Sequence, residues 1–217
     1  IRKVKGARLR AMKPQRLTRE QSRDQTRERL LIAAHGIFLK KGYVAASVED
    51  IAAAAGYTRG AFYSNFSSKS DLLLALLERD HAAVQADFQA IFDGGGSREQ
   101  MESMALAYYR TLFHDDEYSL LWGEAKLQAA RDAKFRVRFN QFLHGKRLQM
   151  AEFIRRFAER AGTPLLLPAE TLAFGLMCLC DGVQSYYTAD PQHVSGEVAE
   201  SVLAGFFARV VLGRAPD

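Results

Sequence analysis

Apolar and polar positions recur along this chain with a helical period, and the sharpest signals fall between Ser47 and Leu74, SVEDIAAAAGYTRGAFYSNFSSKSDLLL. Val48, Ile51, Ala52 and Ala55 stand at i, i+3, i+4 and i+7, which predicts a short helix with one buried face. Ser47 precedes that run and Asp50 follows three residues later, so hydroxyl and carboxylate can cap each other's backbone donors. Gly56 then stops the helix in a left-handed conformation. Thr58 caps a second helix in which Ala61, Phe62 and Phe66 resume the apolar spacing, after a turn of three to four residues. Helices joined so tightly cross at roughly 90–120°, as in a helix-turn-helix. A further capping pair, Ser68 and Asp71, starts the next helix.

The same periodicity organises the rest. Upstream, Leu30, Ala33, Ala34, Ile37 and Phe38 form one stripe of a helix from about Ser22 to Lys41, which Gly42 ends; Tyr43 and Val44 pack the corner that follows. Beyond Leu77 one helix continues through Phe88 to Phe92 and stops at Gly94, Gly95 and Gly96. Further helices are expected over about Ser97 to His114, Tyr118 to Ala130, Ala133 to Ala161, Ala169 to Ala189 and Gly196 to Leu212, with Gly162, Pro164 and Pro168 marking a loop. Strand-like alternation and internal repeats are absent. The chain therefore reads as all-α: a three-helix helix-turn-helix domain at 21–67 and a helical bundle at 68–217, about nine helices together.

Composition narrows the class. With 217 residues, 48% of them apolar, the chain can bury a sizeable core. Neither an 18-residue apolar run nor an apolar leader is present, so a cytoplasmic protein without membrane contact is expected. Charge is uneven. Residues 1–20 hold eight Lys or Arg against Glu20, a net +7, so the remainder carries −2 of the overall +5. This basic arm, with Pro14 and no apolar periodicity, is expected to be flexible alone. It is suited to neutralising phosphates or lying in a minor groove, and a solubilising tail is the alternative.

The second helix of the motif exposes Thr58, Arg59, Gly60, Tyr63, Ser64 and Asn65. An arginine can grip guanine O6 and N7, hydroxyls and amides reach phosphates and base edges, and a glycine lets the backbone lie close to a groove. Lys69 adds a cation at the next helix start, where backbone N–H groups also favour phosphate. Singly, each has a plainer explanation as a solvated charge or a packing ring. Their joint spacing is what points to DNA.

From about Thr26 to Leu77 the chain resembles the DNA-binding domain of the TetR family of transcriptional regulators. The resemblance rests on Ala33-Ala34, Phe38, Gly42-Tyr43, Ser47-Val48, Ile51-Ala52, Ala55-Gly56, Thr58, Gly60, Phe62-Tyr63, Phe66, Lys69 and Leu72. It implies that Thr58 to Ser64 form the recognition helix and that Ser47, Tyr63 and Lys69 hold phosphates. Asn65 departs from the histidine frequent at that place. The resemblance also implies a homodimer on double-stranded DNA, paired through the last two helices. Gly175 and Gly182 give one of these a shallow face, and the other offers Val202, Gly205, Phe206 and Arg209. Intramolecular packing alone is the alternative for these residues.

The bundle is rich in rings: Tyr108, Tyr109, Phe113, Trp122, Phe135, Phe139, Phe142, Phe153, Phe174, Tyr186 and Tyr187. Many must be core, yet so many rings leave gaps of the kind that small ligands fill. The resemblance implies an inducer there, with Tyr108, Trp122, Phe139, Met177, Asp181 and Gln184 as candidate contacts. Asp181 follows the apolar run Leu176 to Cys180, so it is expected to be buried and to need a partner, either in the protein or on a cationic ligand. Catalysis finds no support. Cys178 and Cys180 diverge on their helix and read as free buried thiols, and the five histidines show no ligand spacing. His114 beside Asp115, Asp116 and Glu117 reads as a helix-start acid cluster, so no metal and no cofactor are expected. The sequence thus favours a ligand-released, dimeric repressor at a palindromic operator. A constitutive or protein-controlled regulator is the runner-up, and a bundle enzyme or sequestering protein a distant third.

Overall fold

The computed structural model describes residues 18–94, 116–162 and 164–211, with isolated positions at 97, 100, 103 and 107. Among these residues every regular element is a helix. They are α1 (Arg19–Ala45), α2 (Val48–Ala54), α3 (Arg59–Tyr63), α4 (Lys69–Asp93), α5 (Asp116–Arg131), α6 (Ala133–Ala161), α7 (Ala169–Ala189) and α8 (Gly196–Phe206), the last running into a π-helical turn, Phe207–Val211. The helix expected over Ser97 to His114, and the basic arm up to residue 17, lie outside the described residues. None of the described helices is long and apolar enough to cross a membrane.

Local chemistry accounts for the boundaries. The helix expected from Ser22 starts three residues earlier, because Thr18 and Gln21 form a reciprocal capping box. Ser47 and Asp50 do the same for α2. The Thr58 hydroxyl accepts the Ala61 N–H at the start of α3, and the Ser68 hydroxyl accepts that of Asp71. Asp132 caps α6, which ends on left-handed Gly162 at φ 62°. The last helix changes to wider π-helical bonding after Phe206, short of the regular end expected at Leu212.

Two cores result. The first joins Leu30, Ala34 and Phe38 of α1, Ile51 of α2, Phe62 of α3 and Leu72 to Leu77 of α4 with Leu121, Trp122, Phe135 and Phe139 of α5 and α6. The packing therefore runs without a break across position 67. The second core joins Ala151, Ile154 and Phe157 of α6 with Leu172 and Leu176 of α7 and Leu203 and Phe207 at the chain's end. Near the end of α1 the helix is interrupted at Gly42, which adopts φ 75°, ψ 159°, a region essentially closed to other residues, and a Cβ there would meet Glu124 Oε1 at 3.1 Å. Gly36, exposed on the same helix, has open space around it. Gly42→Ala is expected to cost about 1–3 kcal/mol, whereas Gly36→Ala is expected to stabilise by up to about 1 kcal/mol. Thermal unfolding of the two variants checks both signs.

Candidate nucleic-acid interface and ligand cavity

The α2–α3 turn is closed by two backbone bonds, Gly56 N–H to Ala53 O at 3.0 Å and Tyr57 N–H to Ala52 O at 2.8 Å, with Gly56 at φ 76°. Phe62 is fully buried below the turn and packs its ring on Phe66. Arg27 reaches from α1, stacking 4.3 Å from the Phe66 ring centroid and donating to the Asn65 carbonyl at 3.3 Å. Alpha3 is thereby anchored at one end and underneath. Its free face presents Arg59, Gly60 and Tyr63, the last 47% exposed. Arg59 is pre-positioned by Glu49 at 2.8 Å and lies 5.4 Å from the Tyr63 ring centroid.

Several expected contacts are engaged within the protein. Ser47 and Thr58 remain accessible but their hydroxyls cap α2 and α3, and the exposed Ser64 hydroxyl donates back to Gly60 O at 2.9 Å. Asn65 is not presented outward as expected: its side-chain amide donates to Ala61 O at 2.9 Å, because the chain is already turning out of α3. Lys69 also differs from expectation. Its ammonium donates to the carbonyls of Tyr43, Val44 and Ala46 at 2.5, 3.3 and 2.6 Å and stands 4.4 Å from the Tyr43 ring centroid. Burial pushes its pKa down, with Glu124 pulling the other way. On the opposite side of this corner Glu124 accepts the Tyr43 N–H at 2.9 Å, and the Tyr43 hydroxyl meets Ser70 at 2.7 Å. Lys41, then the Ser47 cap, hold Asp50 down at about 2, so the stability from these contacts is present at neutral pH and is lost as pH falls from the ordinary carboxylate range through that value.

Behind the motif, α4, α5, α6 and α7 line a partly open cavity of about 390 Å³. Of the six expected ligand contacts, Trp122, Met177, Asp181 and Gln184 line it. Phe139 does not; it is buried beneath, 5.9 Å from the Trp122 centroid, and belongs to the first core. Tyr108 lies outside the described residues. Asp181 is a correction of another kind: its side chain is 60% exposed and pairs with Lys126 at 2.9 Å, so the protein supplies its counter-charge. Sequence reasoning missed Lys146, whose ammonium lies 4.0 Å from the Trp122 ring centroid, and His81, whose Nε2 meets Gln149 Oε1 at 2.8 Å. Both line the cavity from helices whose rotation the sequence leaves open. Burial lowers both pKa values, that of Lys146 to about 8, so the amine is still largely charged at neutral pH.

The last two helices leave apolar side chains uncovered. Phe174, Cys178, Gly182 and Tyr186 share one stripe of α7, with Phe174 56% and Tyr186 69% exposed. Val198, Val202, Gly205 and Arg209 share one of α8 and the turn after it. Cys178 is thus exposed, against expectation, while burial drives the Cys180 thiol up to about 12. Gly175 and Phe206, expected at a subunit interface, lie in contact with each other within the chain, the ring 3.6 Å from where a Gly175 Cβ would stand.

Comparison with known proteins bears on the motif. The model of "Bacterial regulatory proteins, tetR family" matches residues 30–76. Over 102 residues the chain is 35% identical to the HTH-type transcriptional activator FasR of Mycolicibacterium smegmatis, covering 46% of this chain and 47% of that one. The chain spans about half or less of the length of the curated relatives it matches. In fold it is similar to a TetR-family transcriptional regulator from Rhodococcus sp., with TM-score 0.70 and 22% identity over 87% of this chain and 99% of the other. It is also similar to a transcriptional regulator from Saccharomonospora viridis solved with choline, with TM-score 0.68 and 20% identity over 85% and 96%. Replacing Lys69 with Met should lower the melting temperature of the DNA-free protein, by about 1–3 kcal/mol of stability, as three carbonyls lose their donor; a purely phosphate-binding lysine would leave it unchanged. Residues 30–76 thus match the helix-turn-helix domain of the tetR family of bacterial regulatory proteins, and the chain shares its fold with a solved TetR-family regulator.

Proposed function

We propose that the protein is a cytoplasmic, ligand-responsive regulator that binds a palindromic operator as a homodimer and acts as a repressor released by a small molecule. One observation carries this reading. Helix α5 belongs to both sites: Trp122, Gly123 and Lys126 line the cavity, while Glu124 between them holds the Tyr43 N–H at the root of the helix-turn-helix. A ligand that prefers one placement of α5 biases α2 and α3 through that joint, and a ligand with equal affinity for both placements changes nothing.

In this reading Arg59 leaves Glu49 for a guanine edge, Gly60 permits close approach, and Tyr63, Thr58 and Ser64 hold the backbone with Ser47. Asn65 and Lys69 act from inside, fixing the ends of α3 and α1. The arm at residues 1–20 adds phosphate contacts. A five-residue recognition helix supplies little affinity alone, so two copies about one DNA turn apart are needed. The uncovered stripes of α7 and α8, including Gly182, Val202, Gly205 and Arg209, are suited to pairing those copies about a two-fold axis. A cavity of this size favours ligand control over a constitutive regulator, and the choline complex of the S. viridis regulator is consistent with ligand binding in this fold.

Fluorescence anisotropy on palindromic DNA from upstream of the gene tests the assignment. Arg59→Ala with Tyr63→Ala is expected to weaken binding at least tenfold with the melting temperature unchanged, and the native protein's affinity should fall steeply with salt. Unchanged affinity contradicts the recognition assignment. Val202→Arg is expected to give monomers by light scattering and to lose operator binding with them; a dimeric variant contradicts the interface.

A further inference from the structure

Among the described residues the cavity's wall carries two lysines against one carboxylate. Lys126 and Asp181 neutralise each other across it at 2.9 Å. Lys146, on α6, is the second cation on its wall, and its ammonium rests on the face of Trp122 rather than on an anion. Among the described residues it has no hydrogen-bond acceptor and no carboxylate within ion-pair distance. His81 adds no charge of its own. Burial lowers its pKa, opposed by the hydrogen bond to Gln149 Oε1 and helped by the nearby charge of Lys146, and its Nδ1 is buried without a partner among the described residues. An ammonium taken from water needs an anion or several acceptors to offset its desolvation.

Resting on the ligand-responsive reading above, we propose that the cavity takes a small amphiphilic carboxylate, its head group on the Lys146 ammonium and its apolar body between Trp122, Phe153, Leu176 and Met177. One cation left over after the Lys126–Asp181 pair matches one negative charge. A quaternary ammonium ligand would face an unpaired lysine, and a neutral one would leave that lysine's acceptor unsupplied. A cavity of about 390 Å³ has room for a medium-chain or aryl-alkyl acid. Val84, Leu143 and Met150 extend the apolar wall, while Gln184, Ser185 and Thr188 make a polar stretch on α7.

Trp122 is the sole tryptophan of the chain, so its fluorescence reports directly on the space beside Lys146. The full chain is titrated with decanoate and 4-phenylbutyrate, and in parallel with decan-1-ol, 4-phenylbutan-1-ol and 4-phenylbutylamine. Saturable quenching or shift is expected from the acids at concentrations at least tenfold below those needed for the alcohols, with the amine weakest. Lys146→Met should erase that preference by weakening the acids alone, Lys146→Arg should retain it, and thermal unfolding verifies that both fold. Equal binding of acid and alcohol, preferred binding of the amine, no saturable change with either acid, or a preference that survives in Lys146→Met overturns the proposal. The regulatory reading fails separately: acids that bind through Lys146 yet leave operator affinity unchanged would contradict ligand control and leave the pocket chemistry standing.

Discussion

The corner at the end of α1 is the constraint on which the rest of the structure depends. Gly42 leaves helical geometry there, so the carbonyls of Tyr43, Val44 and Ala46 and the Tyr43 N–H have to find partners outside the α1 ladder. Lys69 at the start of α4 supplies the carbonyls with donors, and Glu124 in α5 accepts the N–H. Three helices are therefore tied at one point by charged groups whose cost of burial is met by backbone polarity. Phe38, Tyr43 and Leu72 pack in the core beside that point.

What hangs from this corner has few other attachments. Alpha2 and α3 are seven and five residues long, held by Ile51, Phe62 and Phe66 below and by Arg27 at the far end of α3. Such short helices have little stability of their own and follow whatever positions the corner. Since α5 meets the corner with Glu124 and the cavity with its neighbours Trp122 and Gly123, a displacement of that helix has a short route to the exposed face of α3. The Arg138–Asp71 ion pair and the contact of Gln128 with Ser70 tie α6 and α5 to the first turn of α4 as well.

What the sequence made legible was what depends on neighbours along the chain. Ser47 with Asp50, Thr58 before Phe62, and the bounds Ala133 to Ala161 and Ala169 to Ala189 all rest on capping and periodicity, which act within a few residues. The misreadings have a common cause in contacts distant along the chain. Lys69 looks like a phosphate ligand until the carbonyls 23 to 26 residues away are folded against it. Asp181 looks buried because it follows an apolar run, yet the rotation of α7 places it beside Lys126 at the cavity's edge. Phe139 and Trp122 are equally aromatic, and only their helix rotation puts one under the cavity and the other in its wall. The stripe Phe174, Cys178, Gly182, Tyr186 was present as a four-residue spacing, but spacing alone does not say whether a face meets the core or a partner. Thr18 and Gln21 went unread because the basic composition around them masked a helix start.

The central claim is that filling the cavity changes what the recognition helix can do. Gly123 allows this to be tested without knowing the natural ligand, since it lines the cavity beside Glu124 and a Cβ there meets nothing within 4 Å. Operator affinity of Gly123→Phe, measured against the native protein with oligomeric state and melting temperature unchanged, is the direct measurement. The account predicts a loss of at least tenfold, because the new ring occupies the ligand's space and displaces α5. Native affinity in a variant whose ring is seen to fill the cavity would contradict it.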